Sequence, residues 1–74
     1  MKLPRREMPI TQRERDVLNL IAQGMTYQEI AHKFGNAYHT TKQCAHDAFH
    51  KIGVRSKTEA AVRVWTKGLP AIGG

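Results

Sequence analysis

Apolar residues recur at helical spacing in four segments of the chain, at about residues 12–23, 27–34, 38–52 and 57–67. A glycine follows each segment, and glycine readily adopts the left-handed conformation that ends a helix. The alternation of apolar and polar residues that is typical of strands is almost absent. The pattern predicts an all-α fold, a compact bundle of four helices with short connections.

Three of the four segments open with the same short motif, S/T-x-x-E. It occurs as TQRE at 11–14, TYQE at 26–29 and SKTE at 56–59. In such a capping box the hydroxyl accepts a hydrogen bond from an amide of the first turn, and the glutamate accepts one from the amide of the cap residue. Three copies, each ahead of an apolar stripe, predict where the first, second and fourth helices begin.

The third segment divides into two faces when it is read as a helix. One face carries small or apolar residues, namely Thr41, Cys44, Ala45, Ala48, Phe49 and Ile52. The other face carries Lys42, Gln43, His46, Asp47 and His50. Lysine, glutamine and histidine side chains all donate hydrogen bonds, so this face either meets water or binds a partner that offers acceptors.

The net charge helps to decide whether the polar face of the third segment meets water or binds a partner. The 74 residues contain 12 Lys and Arg against 6 Asp and Glu, which gives a formal charge of +6. In a small domain such an excess either serves solubility or indicates a polyanionic partner, which is usually nucleic acid.

Composition also predicts the compartment and the domain limits. Cys44 is the only cysteine, which excludes an internal disulfide and suits a reducing cytoplasm. No apolar run approaches the roughly 20 residues that span a bilayer, and the N-terminus lacks the apolar stretch of a signal peptide. We expect a flexible basic arm at 1–9, one domain at 10–69 and a flexible tail at 70–74.

The second and third segments, joined by a turn at 35–37 that contains glycine, have the layout of a helix-turn-helix. In this motif the second helix packs its apolar side on the first helix and projects its outer side into the major groove of DNA. Lys42 suits guanine or phosphate acceptors, and Gln43 matches the donor and acceptor edge of adenine. His46 and His50 can donate to base acceptors or phosphates.

The stretch ITQRERDVLNLIAQGMTYQEIA, followed by TTK and then KIGVRSKTEAAV, resembles the LuxR/GerE-type (FixJ/NarL-like) DNA-binding domain of bacterial transcription regulators. In that family the typical line reads L-T-x-R-E-x-x-V-L-x-L-I-A-x-G-x-x-x-x-E-I-A, then T-V-K, then K-L-G-V-x-x-R-x-E-A. The resemblance covers about residues 10–69. It implies a tetrahelical domain whose third helix enters the major groove and whose fourth helix forms a homodimer contact.

Carried over position by position, the resemblance implies three sets of contacts. Base contacts fall at Lys42, Gln43 and His46. Contacts to the DNA backbone fall at Thr26, Tyr27, Thr40, His50, Lys51 and Arg55. The dimer contact falls at Val62, Trp65 and Thr66, with packing of Trp65 on the first helix as the alternative. A two-fold dimer would read a partly palindromic operator with half-sites roughly 34 Å apart, or a multiple of that spacing.

The chain departs from the family pattern at the start and on the core side of the third helix. The usual I-S is Asn36-Ala37 here, so the serine cap is missing, a loss that costs about 1 kcal/mol. The remaining candidates for the cap are Asn36, one residue early, and Thr40 with Gln43, late. On the core side, a valine, a histidine and an isoleucine of the family are replaced by Thr41, Cys44 and Ala48. These changes leave open where the helix starts and at what angle it lies.

Other chemistries find little support in the sequence. His46 and His50 have the i, i+4 spacing of a metal pair, but zinc sites usually need three or four protein ligands. Cys44 is expected to be a small core residue. We find no glycine-rich phosphate loop, no paired carboxylate in an apolar setting and no nucleophile beside a base, so we expect no enzyme activity, metal or cofactor.

Together these features predict a transcription regulator that binds double-stranded DNA sequence-specifically as a homodimer. We expect it in the bacterial cytoplasm, associated with the nucleoid when it is bound to DNA. It would be stand-alone if the chain is the full product, because residues 1–9 cannot hold a sensing domain. The alternative is a protein-interaction module with a helix-turn-helix shape that modulates a larger regulator or RNA polymerase; the altered turn at 36–37 motivates it. A fragment of sigma-factor region four is a third interpretation, against which GVRSKTEAA and the fourth helix argue.

Overall fold

The computed structural model describes residues 8–70, which form four α-helices joined by short connections. They are α1 (Gln12–Ala22), α2 (Tyr27–Phe34), α3 (Tyr38–Ile52) and α4 (Lys57–Thr66). The bounds predicted for α2 and α3 are confirmed, and α1 and α4 each end one residue earlier than predicted. The predicted all-α architecture with a helix-turn-helix is confirmed.

Complete capping boxes fix the starts of α1 and α2. The hydroxyls of Thr11 and Thr26 accept hydrogen bonds from the amides of Glu14 and Glu29, each at 3.1 Å. The two glutamates in turn accept from the amides of the cap residues, at 2.9 and 2.8 Å. Two amides that the helix itself leaves unpaired are thus satisfied at each start, as the sequence predicted.

The predicted start of α4 after Ser56 is confirmed, but the capping box predicted there forms only in part. Ser56 accepts from the amide of Glu59 at 3.2 Å. The Glu59 carboxylate, however, accepts from the amide of Arg55 at 2.7 Å rather than from the cap's own amide. Ser56 has a φ of −146°, compared with −79° and −78° at the two complete caps, so its amide has a different orientation relative to the first turn.

α3 begins without a side-chain cap. Ala37 occupies the cap position, and no side chain accepts from the amides of the first turn. Neither Asn36 nor Thr40 takes this role; the Asn36 amide instead donates to the carbonyl of Ala31 at 2.9 Å, in the turn that ends α2. Gly35, with a φ of +69°, permits this turn because left-handed backbone is strained for other residues.

The core of the bundle is built around α1, which packs against α3 and α4, while α2 packs mainly against α3. Ten buried apolar residues form it: Ile10, Val17, Leu18, Ile21, Ile30, Ala45, Ala48, Phe49, Ile52 and Ala60. Cys44, which was expected to be a core residue, is only partly buried and packs against this cluster. Burial of Ala45, Ala48 and Phe49 fixes which side of α3 faces outwards.

Hydrogen bonds attach both ends of the described chain to the bundle. The Met8 amide donates to the carbonyl of Lys51 at 3.1 Å, and the Arg15 guanidinium donates to the carbonyl of Pro70 at 3.4 Å. Most of the predicted arm and tail, at 1–7 and 71–74, lies outside the described residues, so their limits stay predictions. No helix in residues 8–70 is both long and apolar enough to cross a membrane.

Candidate nucleic-acid interface

One side of α3 is exposed along most of its length. The exposed residues on this side are His39, Lys42, Gln43, His46, Asp47 and His50, opposite the buried row of Thr41, Ala45, Ala48, Phe49 and Ile52. The three residues predicted to contact bases therefore lie together on the outward side of the second helix of the helix-turn-helix. Their amide, ammonium and imidazole groups can donate hydrogen bonds to acceptors in a groove.

The side chain of Gln43 is oriented by its neighbour one turn later. Its Nε2 donates to Oδ1 of Asp47 at 3.1 Å. A glutamine amide has two donor hydrogens and one acceptor oxygen, so one hydrogen and the oxygen remain available to a base. Asp47 also places a negative charge on an otherwise basic or neutral face.

His46 rests on the surface of its own helix. Its imidazole ring lies 5.7 Å from the ring of Phe49, centroid to centroid, with the two planes inclined at 36°. Phe49 is buried in the core, so the histidine is placed against a fixed neighbour rather than a loose surface side chain.

The residues predicted to contact the DNA backbone have different surroundings. Thr26, Thr40, His50 and Arg55 are exposed. The Thr26 oxygen accepts from the Glu29 amide, which leaves its hydroxyl hydrogen for an acceptor such as a phosphate oxygen.

Lys51 differs from the other predicted backbone contacts because its charge is engaged within the protein. Its Nζ lies 3.0 and 3.1 Å from the two carboxylate oxygens of Glu14, a buried residue of α1. The Lys51 side chain is 30% exposed. Its ammonium therefore joins α3 to α1, and a phosphate would have to share it with Glu14.

The starts of three helices meet at Tyr27. Tyr27, Tyr38 and Lys57 are the first residues of α2, α3 and α4. The rings of Tyr27 and Tyr38 meet edge to face with centroids 6.2 Å apart, and the Lys57 ammonium lies 4.9 Å from the centre of the Tyr27 ring. Burial, and then the neighbouring Tyr38, raise the pKa of the Tyr27 hydroxyl. It stays protonated at neutral pH and can donate a hydrogen bond.

Two exposed residues at the start of α3 were missed by the sequence analysis. Tyr38 and His39 precede Lys42 and Gln43 by four residues each, and residues at that spacing lie on the same side of a helix. This spacing is a signal that the sequence offered, but Tyr38 and His39 fall outside the positions that the family resemblance carried over.

The residues predicted for the dimer contact lie on one exposed side of α4. Trp65 is 67% exposed and Val62 is 46% exposed. Thr66 is also exposed, and its hydroxyl donates to the carbonyl of Val62 at 2.8 Å. The indole of Trp65 donates to the carbonyl of Ala22 at 3.2 Å, so its polar edge is attached to α1 while most of the ring faces outwards.

Within residues 8–70, no group of three or more His, Cys, Asp or Glu side chains is arranged to hold a metal ion. Cys44, on α3, is partly buried and packs against the core. Burial, and next the charge of Glu14, raise the pKa of the Cys44 thiol, which keeps it in the unreactive protonated form at neutral pH.

Comparison with known proteins agrees with this geometry. Residues 8–64 match the family described as bacterial regulatory proteins, luxR family. The chain is also 35% identical over 72 residues to the transcriptional regulatory protein YdfI of Bacillus subtilis (strain 168). That alignment covers 97% of this chain and 34% of YdfI, so the chain spans about a third of the length of this relative. The chain belongs to the luxR family of bacterial regulatory proteins, a family of helix-turn-helix transcription regulators that bind DNA.

Proposed function

We propose that this chain binds double-stranded DNA sequence-specifically and regulates transcription as a homodimer. The observation that carries the proposal is the outward side of α3, where Lys42, Gln43 and His46 are exposed together opposite a buried row. In a helix-turn-helix this side enters the major groove, where each base pair presents a distinct set of donors and acceptors. The description of the Bacillus subtilis relative as a transcriptional regulatory protein supports the proposal.

Each of the three side chains has a role that its chemistry fits. Lys42 is exposed and makes no ion pair within residues 8–70, so its ammonium is free for the O6 and N7 acceptors of guanine. Gln43, held by Asp47, offers one N–H and its oxygen to the edge of adenine. His46 donates to a base acceptor from its place beside Phe49.

The meeting point of the three helix starts supports contacts with the DNA backbone. Helix N-termini carry partial positive charge, and the first-turn amides of α3 have no side-chain acceptor. Thr26, Tyr27, Thr40 and Arg55 lie at or next to the starts of α2, α3 and α4. We propose that these four side chains contact the phosphates that flank the groove, helped by the net charge of +6.

His50 and Lys51 extend the proposed backbone contacts towards the end of α3. His50 is exposed and can donate to a phosphate oxygen. Lys51 takes part through the exposed fraction of its side chain while it keeps its ion pair with Glu14. Loss of Lys51 would therefore affect stability as well as DNA affinity, unlike loss of Lys42.

We place the homodimer contact on the outward side of α4, at Val62, Trp65 and Thr66. Exposed tryptophan and neighbouring apolar surface are common anchors of protein interfaces. A two-fold arrangement would present two α3 helices to half-sites roughly 34 Å apart, or a multiple of that distance. To change transcription, the DNA-bound dimer would also contact RNA polymerase or another regulator, or exclude them from the promoter.

Selection of bound sequences from a random duplex pool, followed by affinity measurements at several salt concentrations, tests this function. We expect an enriched, partly palindromic motif. About six phosphate contacts predict that log K falls with log salt concentration with a slope near −5. A pool that shows no enriched sequence at low salt would contradict the proposal.

Substitutions on α3 test the assignment of the base contacts. We expect Lys42→Ala and Gln43→Ala each to lower affinity for the selected site by about 1–3 kcal/mol and to relax the preference at particular base pairs. Lys67→Ala is the matched control for Lys42→Ala, because it removes the same charge from an exposed residue at the far end of α4 from Tyr27. Equal effects of the two lysine substitutions on sequence preference would refute the role of Lys42.

The protein-interaction module remains a second candidate, and the exposed Trp65 and Val62 favour it. An apolar patch of this kind fits a larger regulator as well as a second copy of the chain. If no DNA motif is enriched and Trp65→Ala abolishes the effect on transcription, this candidate replaces the first.

A further inference from the structure

Tyr38 occupies an unusual place for a large aromatic residue. It is the first residue of α3, and 50% of it is exposed, whereas Phe49 and Ile52 on the same helix are buried. In helix-turn-helix proteins the N-terminal residues of the second helix approach the base edges. An aromatic ring at this point lies where the helix would enter the groove.

The Tyr38 ring is held in position by its neighbours. The edge-to-face contact with Tyr27 joins it to α2, with an angle of 75° between the ring planes. Tyr27 is itself held by Lys57, the first residue of α4, whose ammonium lies over the Tyr27 ring. A ring restrained in this way offers apolar contact area and loses little conformational entropy on binding.

Tyr38 also continues the row of side chains that carries Lys42 and His46. The three residues are spaced by four, so they follow one another along the same side of α3. Tyr38 is one helical turn ahead of Lys42, at the end nearest to the helix start. A base contact by Tyr38 would therefore fall close to the one proposed for Lys42.

We propose that Tyr38 is a further specificity-determining residue, whose ring packs against the 5-methyl group of a thymine in the major groove. The inference rests on the proposed DNA-binding function. Apolar contact with the thymine methyl group is one of the ways in which side chains recognise bases in the major groove, and it distinguishes thymine from the other bases. A hydrogen bond from the Tyr38 hydroxyl to a phosphate would add affinity without sequence preference, which separates the two roles in experiment.

The test uses the full chain and the duplex that it enriches from the random pool. Tyr38→Ala is expected to lose the preference for thymine at one position of each half-site, close to the position affected by Lys42→Ala. Tyr38→Phe keeps the ring and is expected to keep both the preference and the affinity within about twofold, because only the hydroxyl is removed. Helix content and thermal unfolding of both variants show that they are folded.

The matching change is made in the DNA. Replacing that thymine with deoxyuridine removes only the methyl group and is expected to weaken binding of the unmodified chain by about fourfold. Tyr38→Ala is expected to bind both duplexes equally. This measurement on the unmodified chain does not depend on the folding of any variant.

Three results would overturn the role of Tyr38: thymine preference that survives Tyr38→Ala, an equal loss of affinity in Tyr38→Phe and Tyr38→Ala, or no effect of deoxyuridine on the unmodified chain. In each of these cases the enriched motif still supports DNA binding. The absence of any enriched motif with the unmodified chain would overturn the proposed function and the role of Tyr38 together.

Discussion

At the scale of single residues, Thr41 shows a clear conflict between chemistry and environment. This residue of α3 is 1% exposed, and its Oγ1 has no hydrogen-bond partner within residues 8–70. A buried hydroxyl in this state has lost its hydrogen bonds to water and gained none, which costs about 1–3 kcal/mol. The family resemblance places a valine here, a residue of the same shape without the hydroxyl.

We therefore predict that Thr41→Val raises the free energy of unfolding by about 1–2 kcal/mol, because the unsatisfied hydroxyl is replaced by a methyl group. The midpoint of thermal unfolding should rise by about 4–8 °C for each kcal/mol in a domain of this size. Urea and thermal unfolding followed by circular dichroism measure both quantities.

Thr40→Val is the matched control for this prediction. Thr40 is the preceding residue of the same helix and is exposed, so the identical change should alter stability by less than about 0.5 kcal/mol. Unchanged or reduced stability of Thr41→Val would mean that the hydroxyl finds a partner in solution, and would contradict the prediction.

Glu14 presents the opposite case, a buried charge whose hydrogen bonds are satisfied. Its carboxylate accepts from the Thr11 amide at 2.9 Å and from the Lys51 ammonium at 3.0 and 3.1 Å. Removal of one partner of a buried ion pair leaves the other charge buried and unpaired, which strongly destabilises the fold. The intact pair itself contributes little net stability. DNA-binding measurements on Lys51 variants therefore need a stability measurement beside them.

At the scale of secondary-structure elements, α3 differs from the other three helices at its start. α1, α2 and α4 each have a hydroxyl that accepts from the first turn, whereas α3 has Ala37 at the cap position. The helix nevertheless begins at Tyr38, because Ala45, Ala48 and Phe49 are buried against the other helices. Packing along one side of a helix contributes more to its stability than its local sequence does.

We predict that Ala37→Ser raises the free energy of unfolding by about 1 kcal/mol, because the new hydroxyl can accept from the uncapped first turn of α3. Ala37 already has the extended backbone, with φ −73° and ψ 154°, that a serine cap requires. Chemical unfolding followed by circular dichroism measures the change.

Ser56→Ala, which removes the hydroxyl cap of α4, is the reciprocal control and should lower stability by a similar amount. The prediction for α3 fails if Ala37→Ser leaves stability unchanged while Ser56→Ala lowers it. That result would mean that solvent already satisfies the amides of α3 as well as a hydroxyl would.

At the scale of the whole molecule, the proposed DNA and dimer surfaces lie on different parts of the bundle. The helix starts that meet at Tyr27 are near one end of α4, and Trp65 lies near the other end of that helix. α4 is attached to its neighbours by hydrogen bonds from Arg63 to the carbonyl of Ile52 and from Trp65 to the carbonyl of Ala22. One chain can therefore use both surfaces at once.

We predict that Val62→Glu and Trp65→Ala each convert the proposed DNA-bound dimer into a monomer. Binding to the two-half-site operator should weaken by about 30-fold or more, the effect of losing an interface anchor. Binding to an isolated half-site should change little. Sedimentation velocity with the operator and with the half-site measures stoichiometry and affinity together.

Gln12→Glu is the control, since it introduces one negative charge at an exposed residue of α1, as Val62→Glu does on α4. On the operator, Gln12→Glu should bind as a dimer and Val62→Glu as a monomer. Dimeric complexes formed by both Val62→Glu and Trp65→Ala would refute the placement of the interface on α4.

The sequence by itself determined the helices and the outward side of α3. Helix limits depend on local chemistry: the hydroxyl caps at Thr11, Thr26 and Ser56, and glycines that reach positive φ, as Gly35 does. These signals act within a few residues, so they can be read along the chain. The periodicity of the apolar residues then fixed which side of α3 is buried.

Only the tertiary structure decided which distant residues meet. The ion pair of Lys51 with Glu14 spans 37 positions in the chain, and the hydrogen bond of Trp65 to Ala22 spans 43. The contacts of Tyr27 with Tyr38 and Lys57 likewise depend on how three helices are packed. Such pairings follow from the angle and offset between helices, which the packing of the entire core sets and no local pattern encodes.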